Sequence, residues 1–163
     1  MPRWMRNILL VVSVSLGLLV AAALPASAHG GAHHRAEVTK GSFVTLSGGV
    51  DLGHSVRGHA VMVRFGDRTL VGVHVRGLEG SETYSTHVHN KACAAPAFGG
   101  SHYQDDPASG VNADNEIWPT VQTNPSGNGR GFATHDHRAR PEAMSIVVHQ
   151  PDTGVRLACA DLT

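Results

Sequence analysis

Outside one N-terminal segment, apolar side chains in this chain recur at every second position rather than every third or fourth, and that period decides what it can fold into. Val71, Val73 and Val75 alternate with Gly72 and His74, and Val61, Val63 and Phe65 alternate in the same way. Successive side chains point to opposite faces only in a strand, so this is a strand-building pattern. Phe43 and Thr45 mark an earlier strand, which a Gly-Gly turn ends. Gly66-Asp67 lies between two of the runs, so residues 57–78 read as an antiparallel hairpin. Further strands are expected over 83–89, 117–122, 131–134, 143–149 and 155–160, separated by turns such as Asn124-Pro-Ser-Gly-Asn-Gly. Residues 92–115 show no period and are too long for an idle connection, which marks them as functional. Eight short strands with no sustained helical pattern predict an all-β antiparallel sandwich or barrel.

The exception is the start of the chain. Arg3 and Arg6 precede an apolar stretch over 8–24, and Pro25-Ala-Ser-Ala28 follows with small residues where a signal peptidase reads. Residues 1–28 are expected to be a secretory signal peptide, with a retained anchor as the alternative. No later run is long enough to span a bilayer. Residues 29–36 then read as a flexible His-rich arm, and the domain as 37–163. Export to the secreted or extracytoplasmic space gives the two cysteines a meaning. Outside the cytosol Cys93 and Cys159 are expected to form a disulfide, which closes a long loop and contributes about 4 kcal/mol. Thirteen Lys+Arg against thirteen Asp+Glu leave no electrostatic footprint for nucleic acid.

Twelve histidines are the compositional anomaly. In Tyr84-Ser-Thr-His-Val-His89 the alternation puts His87 and His89 on one face and Val88 on the other. His149 closes Ser145-Ile-Val-Val-His by the same logic, and His102 follows Gly99-Gly-Ser in the patternless region. Ligation by imidazole alone suits copper, zinc, iron or nickel and not calcium or magnesium.

The succession His87-Val-His89, Cys93, Gly-Gly-Ser-His102, Val-Val-His149 and Arg156-Leu-Ala-Cys159 is more specific than any of its parts, and it resembles the Cu,Zn superoxide dismutase family. The resemblance covers about 37–163. It implies an eight-stranded Greek-key barrel, His87, His89, His102 and His149 on copper, Cys93 bonded to Cys159, and Arg156 as the guide for the superoxide anion. Where the family places two further His and an Asp for zinc, this chain reads Val111-Asn-Ala-Asp-Asn-Glu-Ile-Trp-Pro-Thr-Val121, with no His. A tetrahedral zinc site of the family's kind cannot be built from it. Only seven positions separate His149 from Arg156, so the long loop of the zinc enzymes has shrunk as well. The likeness is therefore to a copper-only branch, with zinc absent and His102 a plain ligand.

On that reading copper alternates between two oxidation states, and the protein converts superoxide to oxygen and hydrogen peroxide. A module of the same fold that stores or delivers copper without turnover is the alternative. Glu116 is either a partner for a copper-bound histidine or a solvated strand end. Asp105, Asp106 and Asp114 read as a solvated acidic loop, and His135-Asp-His137 as an exposed turn. The arm's His29, His33 and His34 are candidates for accessory copper capture.

Overall fold

The computed structural model of the protein describes residues 35–163; the signal-peptide segment 1–28 and the arm histidines His29, His33 and His34 lie outside the described residues. Nine strands run in order: β1 (Glu37–Thr45), β2 (Arg57–Phe65), β3 (Arg68–Arg76), β4 (Thr83–Tyr84), β5 (Thr86–His89), β6 (Val121–Thr123), β7 (Gly129–His135), β8 (Ser145–His149) and β9 (Arg156–Asp161). Among the described residues a single short helix, α1 (Ser47–Asp51), follows β1. Every strand pair is antiparallel. The hydrogen-bonded order is β4-β6-β7-β3-β2-β1-β9-β8-β5. The non-consecutive neighbours β3–β7 and β1–β9 are the long connections of a Greek key.

The strand expected over 83–89 is two strands on opposite edges of this order, with β4 beside β6 and β5 beside β8. Ser85 alone joins them, and its carbonyl accepts from the His149 amide at 2.8 Å. The chain thus brings the two edges together into a nearly closed barrel. β1 serves both halves of the barrel. Glu37–Ser42 pairs with β2, and Phe43–Thr45 pairs with β9. Gly41 sits at the changeover, where a Cβ would come within 1.7 Å of the Asp161 carbonyl oxygen, so no side chain fits there.

The hairpin over β2 and β3 turns as its sequence predicts. Phe65 faces Arg68 across Gly66-Asp67, and Gly66 has a φ of 52°, as the first central position of a II′ turn requires. The register buries Val71, Val73 and Val75 against Ala60 and Met62. It leaves Val61, Val63 and Phe65 on the outer side, although these three are the more apolar set on β2. The inner face of β2 ends instead in Arg64, which is buried to 4% exposure. Its guanidinium donates to the carbonyls of Ala139 and Ala143 at 3.0 Å each and to Glu37 at 3.1 Å. A buried cation with its donors filled in this way is tolerated at the end of a core.

The strand expected over 117–122 shrinks to β6. Ile117 is buried outside any strand and accepts from the Val88 amide at 3.1 Å. The Gly48-Gly49 turn winds into α1, where a Cβ on Gly49 would meet the Leu157 carbonyl at 2.3 Å. Beneath α1 lies a small apolar cluster of Leu46, Val147 and the Cys93–Cys159 disulfide, with a Cα–Cα separation of 5.6 Å. Among the described residues no helix is long and apolar enough to cross a membrane.

Candidate metal centre

β5 and β8 lie side by side, with His87 opposite Val147 and Val88 opposite Ile146. Val88 and Ile146 enter the main core, so His87 and His89 project from the other face of β5, as alternation demands. An isolated bridge between His89 and His102 draws the irregular segment onto the edge of β5. His149 arrives from β8 through a break in register after Val148, and such breaks re-aim a side chain. The four imidazoles converge, with ring centroids 4.0 Å apart for His87–His102, 4.9 Å for His89–His102 and 5.3 Å for His89–His149. One ligand nitrogen from each lies within 4.8 Å of the others.

Hydrogen bonds fix which nitrogen faces inward. Nδ1 of His89 bonds to the Gly100 carbonyl at 3.1 Å, and Nδ1 of His149 to the Gly154 carbonyl at 2.9 Å. A carbonyl only accepts, so each Nδ1 carries the proton and each Nε2 presents a bare lone pair. Those two Nε2 atoms face each other at 3.2 Å. Two lone pairs at that distance repel unless a cation lies between them. Bonds of about 2.0–2.1 Å from one metal ion put neighbouring nitrogens at about this spacing. His102 donates from Nδ1 to Glu116 at 2.8 Å and so also offers Nε2. His87 offers Nδ1, which is buried and has no hydrogen-bond partner. The donor set fits a soft-to-borderline metal that takes imidazole.

All this favours neutral rings. Burial, followed by the neighbouring His102 and His149, lowers the pKa of His87 to about 3. Burial and the same kind of crowding lower His89 to about 2, and His149 is lowered for the same leading reason. Neutral imidazole is the form that binds metal.

Glu116 is not a solvated strand end. Its side chain is fully buried and accepts three hydrogen bonds, from His102 and from Trp118 Nε1 at 2.8 Å each and from Gln104 at 3.1 Å. Because Nδ1 of His102 is engaged with Glu116, that ring has only one nitrogen for a metal. Arg156 faces His149 across β8 and β9. It donates to the carbonyls of Ala97 at 3.1 Å, Phe98 at 3.2 Å and Gly100 at 2.6 Å. These three bonds leave part of its donor fork free. The loop that supplies those carbonyls is held by the disulfide at Cys93 and by the Cys93 amide, which donates to Asp161 at 2.7 Å.

The reading of 135–137 as an exposed turn is corrected. His135 is buried at the end of β7 and bonds to Asp105, which is itself largely covered rather than part of a solvated acidic loop. Of the two histidines only His137 is exposed, and Asp136 between them is exposed as well. The signal was present in the sequence, since alternation puts both rings on one side; the partner lay 30 positions away in a segment with no period.

No protein-family profile and no curated protein matches this chain. Among solved structures the chain is similar to the Cu/Zn superoxide dismutase from Brucella abortus, with a TM-score of 0.54 and 17% identity over 78% of this chain and 100% of that one. That likeness is one of fold. The protein is an all-β, nearly closed antiparallel barrel of the Cu/Zn superoxide dismutase type, with a four-histidine cluster at one edge.

Proposed function

We propose that this chain is an extracytoplasmic, copper-dependent superoxide dismutase in which His87, His89, His102 and His149 hold the metal. The observation that carries the reading is the pair of bare Nε2 atoms of His89 and His149, 3.2 Å apart. Neither can donate to the other, so a bound cation is what makes the arrangement favourable. Copper held there supplies one-electron redox chemistry, because an all-imidazole set is compatible with both of its common oxidation states.

The rest is the work of the chain's own residues. Neutral imidazoles do not offset the charge of a bound ion, and Arg156 adds a permanent positive charge beside it, which draws in a small anion and orients it by hydrogen bonding. His87 and His102 are only half-buried, so that side of the cluster is open to the anion and to water. Two superoxide anions and two protons give one oxygen and one hydrogen peroxide, and the open side lets solvent deliver both protons. Glu116 keeps the His102 proton on Nδ1, so His102 serves as a terminal ligand and the reaction has no need of a zinc-bridging ring. The disulfide and the fold are consistent with work outside the cytoplasm.

The carbonyl bonds of Arg156 also suit the second reading, a copper store or carrier in which this side chain only braces a loop. Superoxide decay followed by pulse radiolysis, on oxidised protein loaded with copper alone, separates the two. Metal-dependent catalytic decay is expected. One bound copper with decay no faster than in buffer would overturn the enzyme reading in favour of storage.

A further inference from the structure

A second group of side chains converges outside the four-histidine cluster and shares no residue with it. Asp105 comes from the irregular segment, His135 from the last residue of β7 and His137 from just beyond it, and one donor atom from each lies within 4.8 Å of the others. Oδ2 of Asp105 is the focus. Nε2 of His135 contacts it directly, and Nδ1 of His137 lies 3.3 Å away. Bonds of about 2.0–2.2 Å to a tetrahedral ion separate its ligands by roughly 3.3–3.6 Å, so the His137–Asp105 spacing falls at the short end of that range.

Two of the three donors are held in place. Oδ1 of Asp105 accepts from the Tyr103 hydroxyl at 2.7 Å, and that hydroxyl in turn accepts from the Arg140 amide at 2.9 Å. The Asp105 amide donates to the Asn115 carbonyl at 2.9 Å. A carboxylate fixed through one oxygen, with the other oxygen turned to two imidazoles, has the outer-sphere support found around metal ligands. The His135 side chain is 5% exposed, while His137 is 66% exposed and free to swing onto an ion. The nearby cations have other acceptors than the Asp105 carboxylate: Arg68 faces Asp136, Arg138 faces Glu37, and Arg140 faces Glu142 and donates to the backbone carbonyls of Gln104 and Asp105. The site is therefore not blocked by an arginine lying on its carboxylate.

We infer that Asp105, His135 and His137 form a second, independent metal site that takes a divalent ion of the zinc class, with the remaining coordination positions filled by water. Two imidazoles and one carboxylate suit zinc, cobalt(II) or nickel(II), and offer too few oxygens for calcium or magnesium. An ion there clips the segment that carries His102 to the end of β7. The site shares no residue with the four-histidine cluster and does not depend on what that cluster binds.

The test compares the oxidised protein with His137→Ala, which alters an exposed side chain, and with Asp105→Asn. Zinc is titrated calorimetrically into each protein after the addition of one equivalent of copper. The other histidines contribute equally to all three proteins, so the difference between them isolates the site. Wild type is expected to take up one zinc more than either variant, or to bind it at least ~10-fold more tightly. Cobalt(II) should give visible ligand-field bands of low-coordinate geometry in wild type that His137→Ala loses. Zinc should raise the Tm of wild type and not of His137→Ala, while the two melt together in EDTA. Equal zinc stoichiometry and affinity in wild type and both variants would overturn the site, as would a zinc-induced rise in Tm common to all three or absent from all three. Copper content read on the same samples reports separately on the four-histidine cluster.

Discussion

Replacing Glu116 separates what holds the barrel from what tunes the metal. The side chain is fully buried and accepts from His102, Gln104 and Trp118 at 2.8–3.1 Å. Glu116→Ala leaves three partly buried donors without an acceptor. At about 1–3 kcal/mol for each, less what an admitted water recovers, the loss is about 3–5 kcal/mol. That is a large part of the 5–15 kcal/mol typical of a domain. Glu116→Gln is nearly isosteric. Its amide oxygen still accepts from His102 and Trp118, and its NH2 can donate to Gln104 once that amide rotates, so the stability cost should be no more than about 1 kcal/mol. What the glutamine removes is the anionic partner of His102, and such partners raise the basicity of a ligand imidazole. Copper affinity should therefore fall about 10–100-fold in both variants. Urea denaturation of the metal-free, disulfide-bonded proteins reads stability, and competition with a calibrated chelator reads affinity. If Glu116→Ala is as stable as Glu116→Gln, or if both hold copper as wild type does, the buried carboxylate does not have the role its hydrogen bonds imply.

Other outcomes follow from the same geometry. Arg156→Ala should retain one copper while the superoxide rate falls about 10-fold or more at low ionic strength; an unchanged rate there would remove Arg156 from anion guidance. Reducing Cys93–Cys159 should cost about 4 kcal/mol of stability, measured by urea unfolding with and without reductant, because it frees a 66-residue loop in the unfolded chain. In the metal-free protein, His87, His89 and His149 titrate below their unfolded value, so the unfolded chain binds more protons in acid. Stability is then full above about pH 6.5 and declines as the pH falls toward the folded values near 3 and 2, which thermal melts across that range will show. Melts independent of pH between 6.5 and 4 would refute that assignment.

The sequence made some of these features readable and hid others for physical reasons. Alternation is local, so it correctly put His87 and His89 on one face of a strand and Val88 on the other. It could not choose a face for β2. There the decision comes from pairing with Val71 and Val73 across the hairpin, which overrides the apolar look of Val61, Val63 and Phe65. Nor could it see that Ser85 breaks a run of β-forming residues, because the break is imposed by two different partner strands. His102 has no local pattern at all, and only the resemblance to a known family singled it out. Carboxylates are mostly solvated, so Asp105 read as a surface residue, and Glu116 stood between a solvated strand end and a partner for a histidine until the fold supplied their donors. In each case the missing information was a contact distant in sequence.

The carbonyl of Gly100 shows how such contacts link the parts of the site. It accepts from Nδ1 of His89 at 3.1 Å and from Arg156 at 2.6 Å, so a single oxygen fixes the ring that faces His149 and the cation proposed to guide the anion. That oxygen lies on a loop tethered by the disulfide, and a Cβ at Gly100 would come within 2.4 Å of the Lys91 side chain at a φ of 72°, so the loop has little freedom to move it. Perturbing the loop should therefore change metal affinity and turnover together. Residues that share a partner do not contribute additively. Combining Arg156→Ala with Gly100→Ala should reduce the rate by clearly less than the product of the two single effects, because either change already releases the other's anchor. Strict multiplicativity would mean that ligand and guide are held independently.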